Sequence, residues 1–186
     1  VKRYDLADRN GVPVASPVYE EEEFLASTDE RFRPVNLLTG PDGGLYVVDF
    51  ARGVVQHRIY MTSWLRKQVE DRGLASPIGM GRIWRVSDED APKAGDHTSI
   101  ASMSDRDLVD ILDTDPNGFR RDTAQRLLVE RRATDVAPAL RDIAVDVDRP
   151  IASRLHAMWT LDGMGAVDSA LLGGLVADGD PIIREH

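Results

Sequence analysis

Seven polar residues define what chemistry this chain could carry: Ser27, Thr28, Asp29, Arg33, Asp49, Arg52 and His57. A histidine or a carboxylate can act as a general base, which makes His57 and Asp49 the candidate catalytic pair. Guanidinium groups hold anions, so Arg33 and Arg52, with Asp29 beside them, are the candidate binding residues. Each also has a plainer reading. Asp29 and Arg33 can cap a connection, Asp49 can close a strand end, and His57 can be an ordinary loop histidine. The other histidines, His97, His156 and His186, form no pair at metal-ligand spacing, and no metal site is expected.

The elements that must position these residues centre on a hairpin. Val35–Leu38 and Leu45–Phe50 are β-rich runs, and Gly40-Pro41-Asp42-Gly43 between them places proline and glycine where a turn needs them. Both faces of the second run are apolar, with Leu45 and Val47 on one side and Tyr46, Val48 and Phe50 on the other. That pattern predicts a strand sandwiched between sheets, as in a β-propeller blade. Strand direction then carries 27–33 and the segment after Phe50 to the same end of the blade, where the seven residues meet. Residues 1–19 read as two outer strands joined at Ala7–Gly11, with Pro13 and Pro17 demoting the second to an edge. Glu20–Glu23 reads as a solvated run. The long excursion 51–80 predicts a short amphipathic helix over the propeller mouth, with Met61 and Trp64 in its buried stripe and Arg72-Gly73 as its stop. Gly79-Met80-Gly81 precedes a strand and lacks a third glycine, so it reads as a turn rather than a phosphate loop.

Residues 87–98 are polar and turn-rich, a linker, and from Ser99 onward the pattern is helical and repeats. Asp115-Pro116, Asp148 with Pro150, and Asp180-Pro181 recur at solenoid-like spacing. Arg121, Ala124 and Leu128 return as Arg154, Ala157 and Leu161, and Leu108 and Leu112 align with Leu140 and Ala144, then with Leu172 and Val176. The two arginines are expected to be structural, reaching acidic turns of adjacent repeats. The expected fold is therefore mixed, all-β then all-α. It consists of the last blade or blades of a β-propeller over 1–86, a linker over 87–98, and an α-solenoid over 99–186 whose last repeat is truncated.

Composition narrows the function classes. With 186 residues, 42% hydrophobic and a formal net charge of −9, the chain can build one or two cores. It offers no clustered lysine and arginine for nucleic acid, so no nucleic-acid partner is expected. No apolar run is long enough to cross a membrane. The absence of cysteine excludes disulfides, thiolate zinc and covalent c-type haem attachment within these residues.

A family resemblance enters on the combined motifs. Phe24-Leu25-Ala26-Ser27-Thr28-Asp29, Phe32-Arg33-Pro34-Val35-Asn36, Gly40-Pro41-Asp42-Gly43, Leu45-Tyr46-Val47-Val48-Asp49-Phe50 and Gly81-Arg82-Ile83-Trp84-Arg85-Val86 resemble the last blade of the large membrane-bound dehydrogenase-like proteins of planctomycete-type bacteria, relatives of glucose/sorbosone dehydrogenases. Arg154-Leu155-His156-Ala157-Met158-Trp159-Thr160-Leu161 resembles the HEAT repeats that follow the propeller there. The resemblance implies oxidation of a sugar or similar alcohol with pyrroloquinoline quinone and calcium in the full-length protein. His57 or Asp49 would be the base, and Arg33, Arg52 and Asp29 would hold the quinone. It also implies a periplasmic or cell-surface location, the remainder of the propeller as a partner, and a cytochrome c domain or other electron acceptor. The segment by itself is expected to be an inactive fragment that binds no cofactor. The alternative expectation is a non-catalytic protein-binding scaffold with a partner on the HEAT surface.

Overall fold

Two units make up the chain in the computed structural model, which describes residues 1–9, 12–90 and 99–186. One unit comprises Val1–Leu38 with Leu45–Val86, the other Thr39–Gly44 with Ser87–His186. Asn10-Gly11 of the first expected turn and 91–98 of the expected linker, including His97, lie outside the described residues.

In the first unit, β1 (Tyr4–Arg9) and β2 (Val12–Pro17) form an antiparallel pair, Tyr4 opposite Pro17 and Arg9 opposite Val12. Such a pair is marginal by itself. It is tied at its open end by the Val1 amino group donating to the Leu25 carbonyl at 2.8 Å and the Val18 amide to the Arg3 carbonyl at 3.1 Å. The second sheet is β3 (Pro34–Thr39), β4 (Leu45–Asp49) and β5 (Arg82–Val86), in that order. Turn chemistry accounts for the β3–β4 hairpin. Pro41 has its φ already set for the second turn position, the Gly43 amide donates to the Gly40 carbonyl at 3.0 Å, and Gly43 takes φ +77°, which a side chain would resist. Between β4 and β5 the chain makes α1 (Ser63–Asp71). Its start is capped by Thr62, whose hydroxyl accepts from the Leu65 amide at 3.2 Å, and it stops at Gly73, φ +60°.

The all-β then all-α expectation is overturned. Among the described residues two small antiparallel sheets, of two and three strands, accompany seven α-helices, one of them within the strand-bearing unit; this is a small mixed α/β architecture. No propeller blade is formed among the described residues. The physical reason lies in β4. Only its Val47 and Asp49 face is buried, Tyr46 and Val48 are half-covered, and Phe50 is exposed, so apolar residues on both faces did not mean a sheet on both faces. In the α1 region the expected stripe is also revised. Met61 and Val69 are buried, but Trp64 is 70% exposed.

In the second unit, α2 (Asp105–Thr114), α3 (Gly118–Arg131), α4 (Ala137–Val145), α5 (Ile151–Gly163), α6 (Ser169–Val176) and α7 (Pro181–Glu185) bury one shared core. Leu108, Leu112, Ala124, Leu128, Leu140, Ala144, Ala157 and Leu161 are fully enclosed, each at a position that the 3.6-residue period turns inward. The period shifts by one residue at α6, where Leu171 and Leu175 are buried while Leu172 and Val176 face outward. A ladder of side chains stitches the helix ends. Ser104 and Asp107 form a reciprocal cap on α2, and Arg154, 3% exposed, donates to the Ala144 carbonyl at 3.1 Å and pairs with Asp178.

Candidate functional site

Asp49 is the centre of the polar cluster, and its position follows from register. It is the last residue of β4, opposite Arg82 of β5, and Trp84 stands opposite Val47. Directly opposed residues share a face, so Asp49, Arg82 and Trp84 lie together on the buried side. Oδ2 accepts from Arg82 Nε at 2.9 Å and from Trp84 Nε1 at 3.1 Å. Oδ1 accepts from the Arg33 amide at 2.8 Å and the Ala51 amide at 2.9 Å. Four donors fill the four acceptor sites of a carboxylate. Burial pushes the Asp49 carboxyl up, but the Arg33 amide, the Trp84 indole, Arg82 and the Ala51 amide outweigh it and hold it down at about 2. The Ala51 contact also holds a left-handed residue (φ 46°) in place, a conformation an alanine adopts only under constraint.

Asp29 joins from the connection before β3. Its Oδ1 accepts from the Arg31 amide at 2.9 Å and its Oδ2 from Arg82 Nη2 at 3.2 Å, so one guanidinium bridges two carboxylates. The Arg31 amide, then Arg82, holds the Asp29 carboxyl below its ordinary value. Arg82 in turn is held above its usual range, chiefly by the hydrogen bond to Asp49. Its guanidinium carbon also lies 5.0 Å from the Trp84 ring centroid, a cation–π arrangement.

Arg33 points its guanidinium at backbone. Nε donates to the Arg52 carbonyl at 2.8 Å and Nη2 to the Gly53 carbonyl at 3.1 Å. Arg52 Nε likewise donates to the Val54 carbonyl at 3.0 Å. His57 is exposed and caps a single 3-10 turn (Arg58–Tyr60), its Nδ1 accepting from the Ile59 amide at 3.4 Å, with the Tyr60 ring edge-on. The structure thus brings Asp29, Arg33, Asp49 and Arg52 into one hydrogen-bonded cluster. His57 is in the same unit but bonds to none of them.

The residue sequence reasoning missed is Arg82. Part of its signal was available, since counting in twos along Arg82-Ile83-Trp84 puts Arg82 and Trp84 on one face; the register that sets them against Asp49 and Val47 comes only from the folded sheet.

Two grooves flank the loop that Arg33 and Arg52 hold. One, of about 300 Å³, lies against Trp64, Leu65, Gln68 and Leu74. The other, of about 240 Å³, has Met61, Val69 and Ala75 at its apolar surface and Arg52, Arg58, Arg66 and Glu70 at its polar one.

No curated protein and no solved structure matches the chain. A family model described as a domain of unknown function, DUF7133, matches residues 1–90, the stretch that contains the whole cluster.

Proposed function

We propose that this chain is a non-catalytic polypeptide-binding module. The observation that carries the reading is the uncovered apolar surface of the three-stranded sheet. Among the described residues both β3 and β5 are edge strands, and Val35 (60% exposed), Leu37, Leu38 and Ile83 (66% exposed) stand open on them. Edge strands with exposed apolar side chains accept an added strand or apolar segment from another chain.

The polar cluster supports the same reading. A general base needs a lone pair directed at substrate, and all four acceptor sites of Asp49 are already occupied. Arg33 commits its Nε and Nη2 to two backbone carbonyls, so its fork faces the 52–53 backbone rather than a quinone carboxylate. Among the described residues no three histidine or carboxylate groups gather as metal ligands. These residues do not fit a calcium-assisted quinone site.

The test uses the full chain against a displayed random-peptide library. Enriched peptides sharing a pattern should bind the native chain and lose binding to Leu38→Lys and Ile83→Lys, which sit on exposed positions and should leave the melting temperature unchanged. Failure to enrich any shared pattern overturns the proposal. Dye reduction with a sugar or alcohol in the presence of pyrroloquinoline quinone and calcium, lost in a folded Asp49→Asn variant, overturns it too.

A further inference from the structure

The cationic groove beside α1 has a charge and shape of its own. Arg58 and Arg66 come from the 3-10 turn and the second turn of α1, and Arg52 from the loop after β4. Arg66 Nη2 donates to the Arg58 carbonyl at 3.2 Å and Arg52 Nε to the Val54 carbonyl at 3.0 Å, and these bonds fix the two side chains at the groove. One carboxylate faces these three cations. Glu70 stands 3.9 Å from Arg58, and both side chains are largely exposed. That pair is long and solvated, so it contributes little. Behind the arginines lies a buried apolar floor of Met61 and Val69.

We infer that this groove takes an acidic segment of the partner polypeptide, with carboxylates on Arg52, Arg58 and Arg66 and a neighbouring aliphatic side chain on Met61 and Val69. The inference deepens the polypeptide-binding reading and rests on it. Guanidinium forks suit carboxylates because two parallel N–H groups meet two oxygens. The apolar floor selects a peptide over a free anion, since an inorganic anion gains nothing from Met61. Charge distribution argues against nucleic acid. The unit has twelve lysines and arginines against eleven acidic residues, and the groove is one local concentration rather than a stripe.

The experiment is fluorescence anisotropy of the full chain with labelled peptides alternating Glu and Leu, Gln and Leu, or Lys and Leu. A single-stranded oligonucleotide is the fourth probe. The Glu/Leu peptide should bind best and weaken with added salt. Arg58→Ala, whose side chain is exposed and makes no fold-holding bond, should weaken it about tenfold, one charge-assisted hydrogen bond's worth. Glu70→Gln removes the competing carboxylate and should tighten it. Equal affinity for the Glu/Leu and Gln/Leu peptides, or indifference to both substitutions, overturns the inference and leaves the polypeptide-binding reading standing. Preference for the oligonucleotide overturns the inference as well. Absence of binding by any peptide, together with an unenriched library, removes both.

Discussion

Replacing Asp49 by Asn tests whether the polar cluster is a device for holding the fold. The asparagine oxygen can still accept from the Arg33 and Ala51 amides, but its NH2 group then faces Arg82 Nε and Trp84 Nε1, both donors. Two charge-assisted hydrogen bonds to the carboxylate are lost, and Arg82 loses its closest counter-charge. Hydrogen bonds to charged groups are worth about 1.5–3 kcal/mol each, so Asp49→Asn should cost the first unit about 3 kcal/mol. Asp49→Ala strands all four donors at a fully buried position and should cost about 4–5 kcal/mol. The chain has three tryptophans, and with Trp64 and Trp159 changed to Phe, the fluorescence of Trp84 reports the cluster directly during urea unfolding. Acid provides a second readout. The folded Asp49 carboxyl is depressed from 3.8 to about 2, so the unfolded chain binds more protons in that window. The stability Asp49 contributes is complete above pH 4 and drains away as pH falls toward 2, and Asp49→Asn should flatten the profile there. A cost under about 1 kcal/mol for Asp49→Asn, with an unchanged acid profile, would refute the assignment.

Further perturbations probe the helical unit. A Cβ on Gly163 would lie 2.8 Å from Val129 Cγ2 and 3.1 Å from Cγ1, and a β-branched side chain has few rotamers to escape into. Gly163→Ala should therefore destabilise by about 1–3 kcal/mol in chemical denaturation, and Val129→Ala in the same chain should recover most of it. Arg154→Ala should lower the melting temperature far more than Arg126→Ala. The first arginine is buried and holds the Ala144 carbonyl and Asp178, whereas the second makes a solvated pair with Glu130 one turn away. Burial lowers the His156 pKa below 6.5 against the opposing pull of Asp122, with Arg121 adding to the depression. The folded state thus resists protonation, so this contribution is full above about pH 6.5 and is lost on acidification. His156→Gln should flatten the stability profile below that pH in thermal melts.

Much of the local structure was legible in the chain itself. Gly40-Pro41-Asp42-Gly43 specifies its turn by backbone geometry alone, because proline sets one φ and glycine permits another. The helix over 63–71 was signalled by apolar spacing and a glycine stop, and the inward leucines of α2 to α5 by a period the backbone imposes. These are local determinants, acting over a few residues.

Partnership is different, because it depends on what lies opposite. Tyr46, Val48 and Phe50 have the same side chains whether or not a second sheet covers them, and only the folded chain shows that none does so fully. Leu172 and Leu171 are chemically identical, and the packing of α6 decided which of them is buried. Arg82 meets Asp49 across 33 positions of sequence, through a strand register that no local pattern encodes. Residue types set which bonds were possible; the pairing of strands and the docking of α1 and its neighbouring loop decided which were made, because those distances exist only once the chain has folded.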